Sequence, residues 1–432
     1  MISKRKLVNT LFVLSFPLYG IGSYMMLKQG FSEGLLFCAL PYLLIILFYG
    51  IDLLYRGGFT PRVNSAYWVC LAAIASLMFS VQVGLWNHSP ILNPGNRIVL
   101  MVLFFVPFQA AIIVQLYNRE HDGFDFSWMI VRGLIALVVV NFLGVAAGFH
   151  NLLHSFEGRI SFPFVMGIYD AAHLLAFMNL MLLFYMGEFK AQPLRSAGLV
   201  LVYVLNLYVI MSINSRLSFM IFFVFTVLFL AKVMKRARGI YLISLFTMPL
   251  MMSFALLIYE ILSLPFFTAI LSRVDKKDVT TFNGRTYIWE SAADWAMKDR
   301  RGIVFGNGYN GQYHIHILEK VAKMWNTKGS YNLHMHSAFL EIFVNQGIVG
   351  LGLTYVVYWL GFKYYRRQYV DGTAMAPLYA GFVYLLFAWQ IDIFGYGIYM
   401  GNPLLYMLMA PACIVPAFIT GRRKAMNGAW LS

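Results

Sequence analysis

Twelve stretches of this chain are apolar over about 17 to 25 residues, the length a helix needs to cross the hydrocarbon of a bilayer. They run at approximately 7–27, 34–54, 67–86, 97–117, 128–148, 161–187, 196–213, 217–232, 240–263, 337–362, 376–396 and 399–420. A lipid-facing backbone must satisfy its own hydrogen bonds, so these stretches are expected to be helices. Composition agrees: 60% of the residues are hydrophobic and 12% are charged, about half the charge density of a soluble globule. The expected class is an all-α integral membrane protein of about twelve transmembrane helices. The first stretch follows a basic start, as a secretory leader does, but no small-residue cleavage site follows it and it is long enough to span. It is expected to remain as the first span.

The formal charge of +15, from 33 Lys and Arg against 18 Asp and Glu, would suggest nucleic acid in a soluble protein. Its distribution argues otherwise. With the N-terminus placed in the cytoplasm, 19 of the basic residues face inward, 4 lie in short outer loops, and 10 lie in one long outer segment, which can cross regardless of charge. The expectation is a multi-pass protein of the bacterial inner membrane with both termini cytoplasmic, its basic excess explained by topology and contact with anionic membrane lipids, and no nucleic-acid partner. Cys38, Cys70 and Cys413 lie inside apolar runs without CxxC spacing, so they read as buried thiols.

Only 264–336 looks soluble, which divides the chain into 1–263 (spans one to nine), 264–336 (a large outer loop) and 337–432 (spans ten to twelve and a tail). Within the loop, 283–299 (NGRTYIWESAADWAMKD) sets Ile288, Ala292, Trp295 and Ala296 at helical spacing beside Arg285, Glu290 and Asp294, the pattern of an interfacial amphipathic helix. A Gly-rich turn at 302–311 (GIVFGNGYNG) leads to a second helical pattern at Ile315, Leu318, Val321 and Trp325. A two-halved transporter carries its longest loop centrally and breaks its helices at matching positions. Here the extra chain is off-centre on one face, which favours chemistry at that surface over passage through the bilayer.

Three basic residues interrupt apolar chain at the outer boundary: Arg216 in SINSRLS, Arg285 in NGRTYIWE and His336 in HMHSAFLE. Each arginine could snorkel to lipid headgroups, yet a guanidinium at the rim of two spans also suits a diphosphate, which its fork contacts bidentately. His336 precedes the tenth span, whose first N–H groups disfavour an imidazolium; it is expected to be neutral and able to accept a proton. His314, His316, His334 and His336 form two HxH pairs, but on a helix such rings diverge, so no metal is expected. Asp170 and His173 are one turn apart in the sixth span, where they could satisfy each other. Asp392 and Glu260 lie near outer span ends, and Glu341 could orient a loop residue or an arginine.

The run HSAFLEIFVNQGIVGL (336–351), the upstream NGRTYIW and GNGY segments and the SR at 215–216 resemble the O-antigen ligase and O-antigen polymerase superfamily of bacterial surface-glycan assembly. The resemblance is strongest over about 210–355 and extends through the twelve-span layout with its large periplasmic loop between spans nine and ten. It implies a GT-C type glycosyltransferase fold with a periplasmic active site and an undecaprenyl-diphosphate-linked glycan donor. The acceptor would be either the lipid A-core oligosaccharide or a second lipid-linked glycan. Arg216 and Arg285 would hold the donor diphosphate and His336 would activate the acceptor hydroxyl, with inversion and without a metal or other cofactor. His334, Ser337, Tyr287 and Trp289 are the further candidate substrate contacts, His334 being a departure that could share the role of His336. Ligase is preferred over polymerase on the single compact outer segment and on length; a lipid-linked glycan flippase is the alternative from another class.

Overall fold

The computed structural model describes residues 3–56, 62–89, 92–119, 121, 123–152, 160–188, 192–213, 215–246, 265, 285–324, 333–370 and 375–414. The described elements are helical. Helices α1 (Lys4–Lys28), α2 (Phe31–Arg56), α3 (Ser65–Trp86), α4 (Pro94–Asn118), α5 (Phe126–Ala146), α6 (Ile168–Glu188), α7 (Pro193–Ile213) and α8 (Arg216–Leu230) occupy the first eight apolar windows. Their starts follow local chemistry: Ser3, Asn64, Asn93 and Asp125 each cap the helix that follows them, and Asn93 and Asn96 cap reciprocally ahead of a proline at the first turn of α4. The ninth window is described only as α9 (Ile240–Leu245), so the rest of that expected span, Glu260, and the expected boundary at 263/264 lie outside the described residues.

The polar segment contributes α10 (Arg285–Lys298), α11 (Arg300–Phe305), α12 (Gly311–His314) and α13 (Glu319–Met324); the chain then re-enters the bundle as α14 (Ala338–Val370), α15 (Ala376–Ile391) and α16 (Gly401–Cys413). Among the described residues, eight helices, α1 to α7 and α14, are long and apolar enough to cross a membrane, and Leu217–Leu230 and Ala376–Ile391 are shorter apolar helices. The molecule is a multi-pass membrane protein.

Burial is arranged for lipid. On α2 and α7, Leu36, Leu47, Leu54, Leu201 and Val204 stand exposed, while α15 is buried on nearly every side, as a helix apolar all round should be. Helix α15 packs between α6, α8 and α14, and α16 fills the space beside α3 and α4. The central position of α15 sets Asp392, the residue that caps its C-terminus, inside the bundle.

The tenth apolar window holds a longer, broken helix. Gly347 sits at φ 68° and ψ −168°, separating a first segment that meets the polar domain from the membrane-length remainder. A side chain at 347 would put its Cβ 2.3 Å from the Val304 carbonyl oxygen, so only glycine lets α11 approach this closely. Beyond 362 the helix continues through KYYRRQYV, polar enough to leave the apolar window but without a helix breaker.

The polar domain has its own small core. Ile288, Trp289, Ala292 and Trp295 of α10 pack with Leu318, Val321 and Ala322, with Leu333 and Met335, and with Val344 of α14. The apolar face expected to lie on the membrane interface is therefore covered by the chain itself. The second expected helix is broken into α12 and α13, because His316 takes a left-handed φ of 57° between them; Trp325 lies outside the described residues.

Candidate functional site

The Gly-rich turn aligns the two halves of the site. Asn307 and Gly308 donate backbone N–H bonds to the carbonyls of Val344 (2.9 Å) and Asn345 (3.0 Å), and Tyr309 donates to Ser80 on α3 (2.7 Å). Gly308, at φ 85°, lies so close to α3 that an added Cβ would meet the Gly84 nitrogen at 2.3 Å. The first segment of α14, immediately after His336, is thus clamped between the polar domain and the bundle.

Residues 333–337 are held just as tightly. The Trp289 indole N–H donates to the Met335 carbonyl (3.1 Å), and the Met335 N–H donates to Glu341 Oε2 (2.9 Å). Gln312 Nε2 donates to Glu341 Oε1 (2.5 Å), and Ala338 N–H to the Asp392 carbonyl (2.9 Å). Glu341 is therefore the residue that orients the histidine segment, as one reading of the sequence suggests. Ser337 is fully buried: its hydroxyl donates to the Trp389 carbonyl (3.4 Å) and accepts from Leu340 N–H (3.3 Å). That is a helix-capping position. Trp289, 4% exposed, is likewise engaged in holding the loop, whereas Tyr287 is 43% exposed and open to a ligand.

These bonds place His336 at φ 47°, partly exposed, with its N–H donating to His334 Nδ1 (3.2 Å) and the two rings 4.0 Å apart. Burial holds its imidazole well below the usual histidine range; His334 and the Arg285 charge push the same way, and Asp392 opposes them. The neutral form expected at the start of a helix is the form the surroundings favour, with desolvation as the main cause.

Arg285 opens α10 and turns inward. Its side chain is buried, Nη1 donating to the Ile391 carbonyl and Nη2 lying 3.1 Å from Asp392 Oδ2. The snorkelling alternative for this arginine fails, since its guanidinium points into the protein. Asp392 Oδ1 accepts from Ile393 N–H (2.9 Å), and Oδ2 also lies 3.4 Å from His173 Nε2. The other His173 nitrogen meets the Tyr384 hydroxyl at 2.8 Å, and its ring stacks on Phe394. His173 is thus paired across to α15 and not with Asp170, as i, i+3 spacing alone allows. Asp170 is buried, with Oδ2 lacking a hydrogen-bond partner among the described residues.

Of the three residues expected to converge, Arg285 and His336 are brought together within electrostatic reach of each other. Arg216 begins α8, which packs on α6 and α15, but its side chain lies outside what is described. His314 ends α12 and His316 pairs with Glu319 at 2.8 Å, while the His334 and His336 rings lie against each other. Among the described residues no group of three or more His, Cys, Asp or Glu could hold a metal ion. The Asp392–His173–Tyr384 chain is what sequence reasoning left unassembled, although Asp392 and His173 were visible as ionisable groups in apolar spans.

The structure is a helical membrane bundle with a polar segment clamped against it and a buried Arg285–Asp392 pair near His336. Residues 199–355 match a family model described as O-antigen ligase, which supports the O-antigen ligase and polymerase superfamily for this chain. The matched stretch contains Arg216, Arg285, His334 and His336, and stops before Asp392. No curated protein and no solved structure matches the chain.

Proposed function

We propose that the protein is an inverting, metal-independent glycosyltransferase of the GT-C type, moving a glycan from an undecaprenyl-diphosphate donor to an acceptor hydroxyl on the periplasmic face of the inner membrane. The observation that carries this reading is that Arg285 and the segment after His336 both bond Asp392, the guanidinium to its carboxylate and Ala338 N–H to its carbonyl, with Arg285 and His336 inside the stretch that matches the O-antigen ligase family. Arg285 has five N–H donors, of which two engage Ile391 and Asp392, leaving others for the donor diphosphate. In the proposed step His336 takes the proton of the acceptor hydroxyl as its oxygen attacks the anomeric carbon. The carbon–oxygen bond to the diphosphate breaks, and undecaprenyl diphosphate leaves with its charge held by Arg285 and Arg216. A single displacement inverts the anomeric centre.

The single compact outer segment and the chain length lead us to prefer O-antigen ligase, with lipid A-core as acceptor, over a polymerase that extends a second lipid-linked repeat. Twelve spans, cytoplasmic termini and the division at 264–336 complete the proposed topology. The purified protein should be given a lipid-linked donor with core lipopolysaccharide and a second lipid-linked glycan in competition. Extension of the core identifies a ligase and extension of the lipid-linked glycan a polymerase; transfer to neither overturns the reading. Retention of anomeric configuration, read by NMR of the product linkage, would overturn the single-displacement step.

A further inference from the structure

At the end of the bundle opposite Arg285 and His336, two basic runs meet. Residues 232–238 (KVMKRAR) follow α8 and carry four cations, and 363–367 (KYYRR) close α14 and carry three. Arg366 lies nineteen residues past the kink at Gly347, about 28 Å along the helix. The turn Val233–Lys235 packs against α14, bringing the two runs side by side.

Beneath the charges lies an aromatic floor. Tyr369 and Tyr379 have ring centroids 5.3 Å apart, Phe229 packs edge-on against both at 5.9 and 5.8 Å, and Lys235 Nζ sits 5.7 Å over the Tyr369 ring. Two polar atoms in this floor are buried without a hydrogen-bond partner among the described residues: Arg366 Nε and the hydroxyl of Tyr379, a fully buried residue. Arg366 stands one helical turn before Tyr369, whose ring packs on that of Tyr379. Among the described residues, the ion pairs at Lys4, His173, Arg285 and His316 include none of these seven cations.

Cations at a helix C-terminus and at a membrane boundary are ordinary, and the exposed Lys363 and Arg367 need no other account. A buried guanidinium nitrogen and a buried hydroxyl, both lacking an acceptor among the described residues, are not covered by that account. Both are donors, and they flank Tyr369, over whose ring Lys235 sits. A phosphodiester oxygen supplies the missing acceptor. Exposed Val227, Leu230 and Trp359 on the flanking helices offer an apolar surface for acyl chains.

We propose that Arg366, Tyr379 and Lys235 form a binding site for the phosphodiester headgroup of an anionic lipid, in the leaflet opposite the candidate catalytic site. The site tethers the α8–α14–α15 junction to that leaflet.

The test uses the delipidated full-length protein and native mass spectrometry with phosphatidylglycerol, phosphatidylcholine and inorganic phosphate as probes. Wild type should retain phosphatidylglycerol in preference to phosphatidylcholine, and millimolar phosphate should not displace it. Arg366→Gln should weaken retention about fivefold, the effect of one charge at a lipid surface. Arg5→Gln with Lys6→Gln, which removes two charges elsewhere, should leave it unchanged. Equal retention of the two lipids by wild type overturns the proposal without recourse to any variant. Equal loss in the two sets of variants would mean diffuse attraction, and displacement by phosphate a free-anion site; either also overturns it.

Discussion

Asp52 and Asp125 lie in one kind of surrounding and Asp392 in another. Asp52 is bonded to Lys4, whose side chain is 44% exposed, and to the Tyr117 hydroxyl at 3.0 Å. Asp125 caps its own helix, accepting Trp128 N–H at 3.1 Å and the Ser127 hydroxyl at 2.6 Å, with the Tyr185 hydroxyl at 2.7 Å on its other oxygen. These carboxylates meet hydroxyls, a cap or a cation that reaches water. Asp392, by contrast, is 2% exposed and shares one oxygen between Arg285 and His173, which lie 107 and 219 residues away in the chain. A buried ion pair repays its desolvation only with excellent geometry and further hydrogen bonds. Asp392 has further hydrogen bonds, from Ile393 N–H and the His173 ring, and the helix start after His336 bonds its carbonyl; the former two belong to helix architecture, the latter to the candidate site.

The sharpest break of this comparison comes from the reacting groups. Arg285→Ala and His336→Ala should each lower glycan transfer by about a hundredfold or more, the scale of a lost general base or charge clamp. In vitro transfer from lipid-linked donor measures it, with size-exclusion chromatography in detergent to establish that the variants remain folded. Wild-type turnover in either variant would put Arg285 and His336 in the same structural category as Asp52.

Asp392→Asn should come next. It leaves Arg285 buried against a neutral amide, and breaking a buried pair in this way destabilises by about 3–5 kcal/mol. Transfer should fall steeply, whereas Asp52→Asn, whose partner Lys4 can return to water, should stay within about twofold of wild type. Matched losses in the two variants would erase the distinction between the two ends of the molecule.

A graded effect is expected from pH. His336 must be neutral to accept a proton, and its surroundings lower its pKa below 6.5, so the acid limb of kcat/KM should lie below pH 6.5 and activity should be full at pH 7. Asp392 is the one neighbour that raises this pKa. The residual activity of Asp392→Asn should therefore show its acid limb displaced further toward low pH. A limb moved upward would mean that a group other than His336 controls the rate.

How far the chain could be read in advance follows the range of the interactions involved. Spans were legible because an apolar run in lipid has one hydrogen-bonding solution, and Arg285 and His336 stood out as polar interruptions at span ends. The kink at Gly347 was not, since a glycine in an apolar helix carries no local mark until Val304 approaches it. Ser337 and Trp289 belong to recognisable motifs, yet their polar atoms bond Trp389, Leu340 and Met335, contacts that no local pattern announces. Asp170 and His173 had the right spacing to pair; stacking on Phe394 and the hydroxyl of Tyr384 draw the imidazole toward α15 instead.

That last contact gives the smallest and most discriminating expectation. Tyr384 touches His173 at 2.8 Å and His173 reaches Asp392 only at 3.4 Å, so the hydroxyl acts two steps from Arg285. Tyr384→Phe keeps the ring and removes one neutral hydrogen bond, worth about 1 kcal/mol, so transfer should fall no more than about fivefold. His173→Phe removes the bond to Asp392 as well and should cost more, while the double variant should match His173→Phe alone if the hydroxyl works only through the imidazole. Additive losses would show that Tyr384 supports the bundle independently, and the polar chain that distinguishes this end of the molecule would then stop at His173.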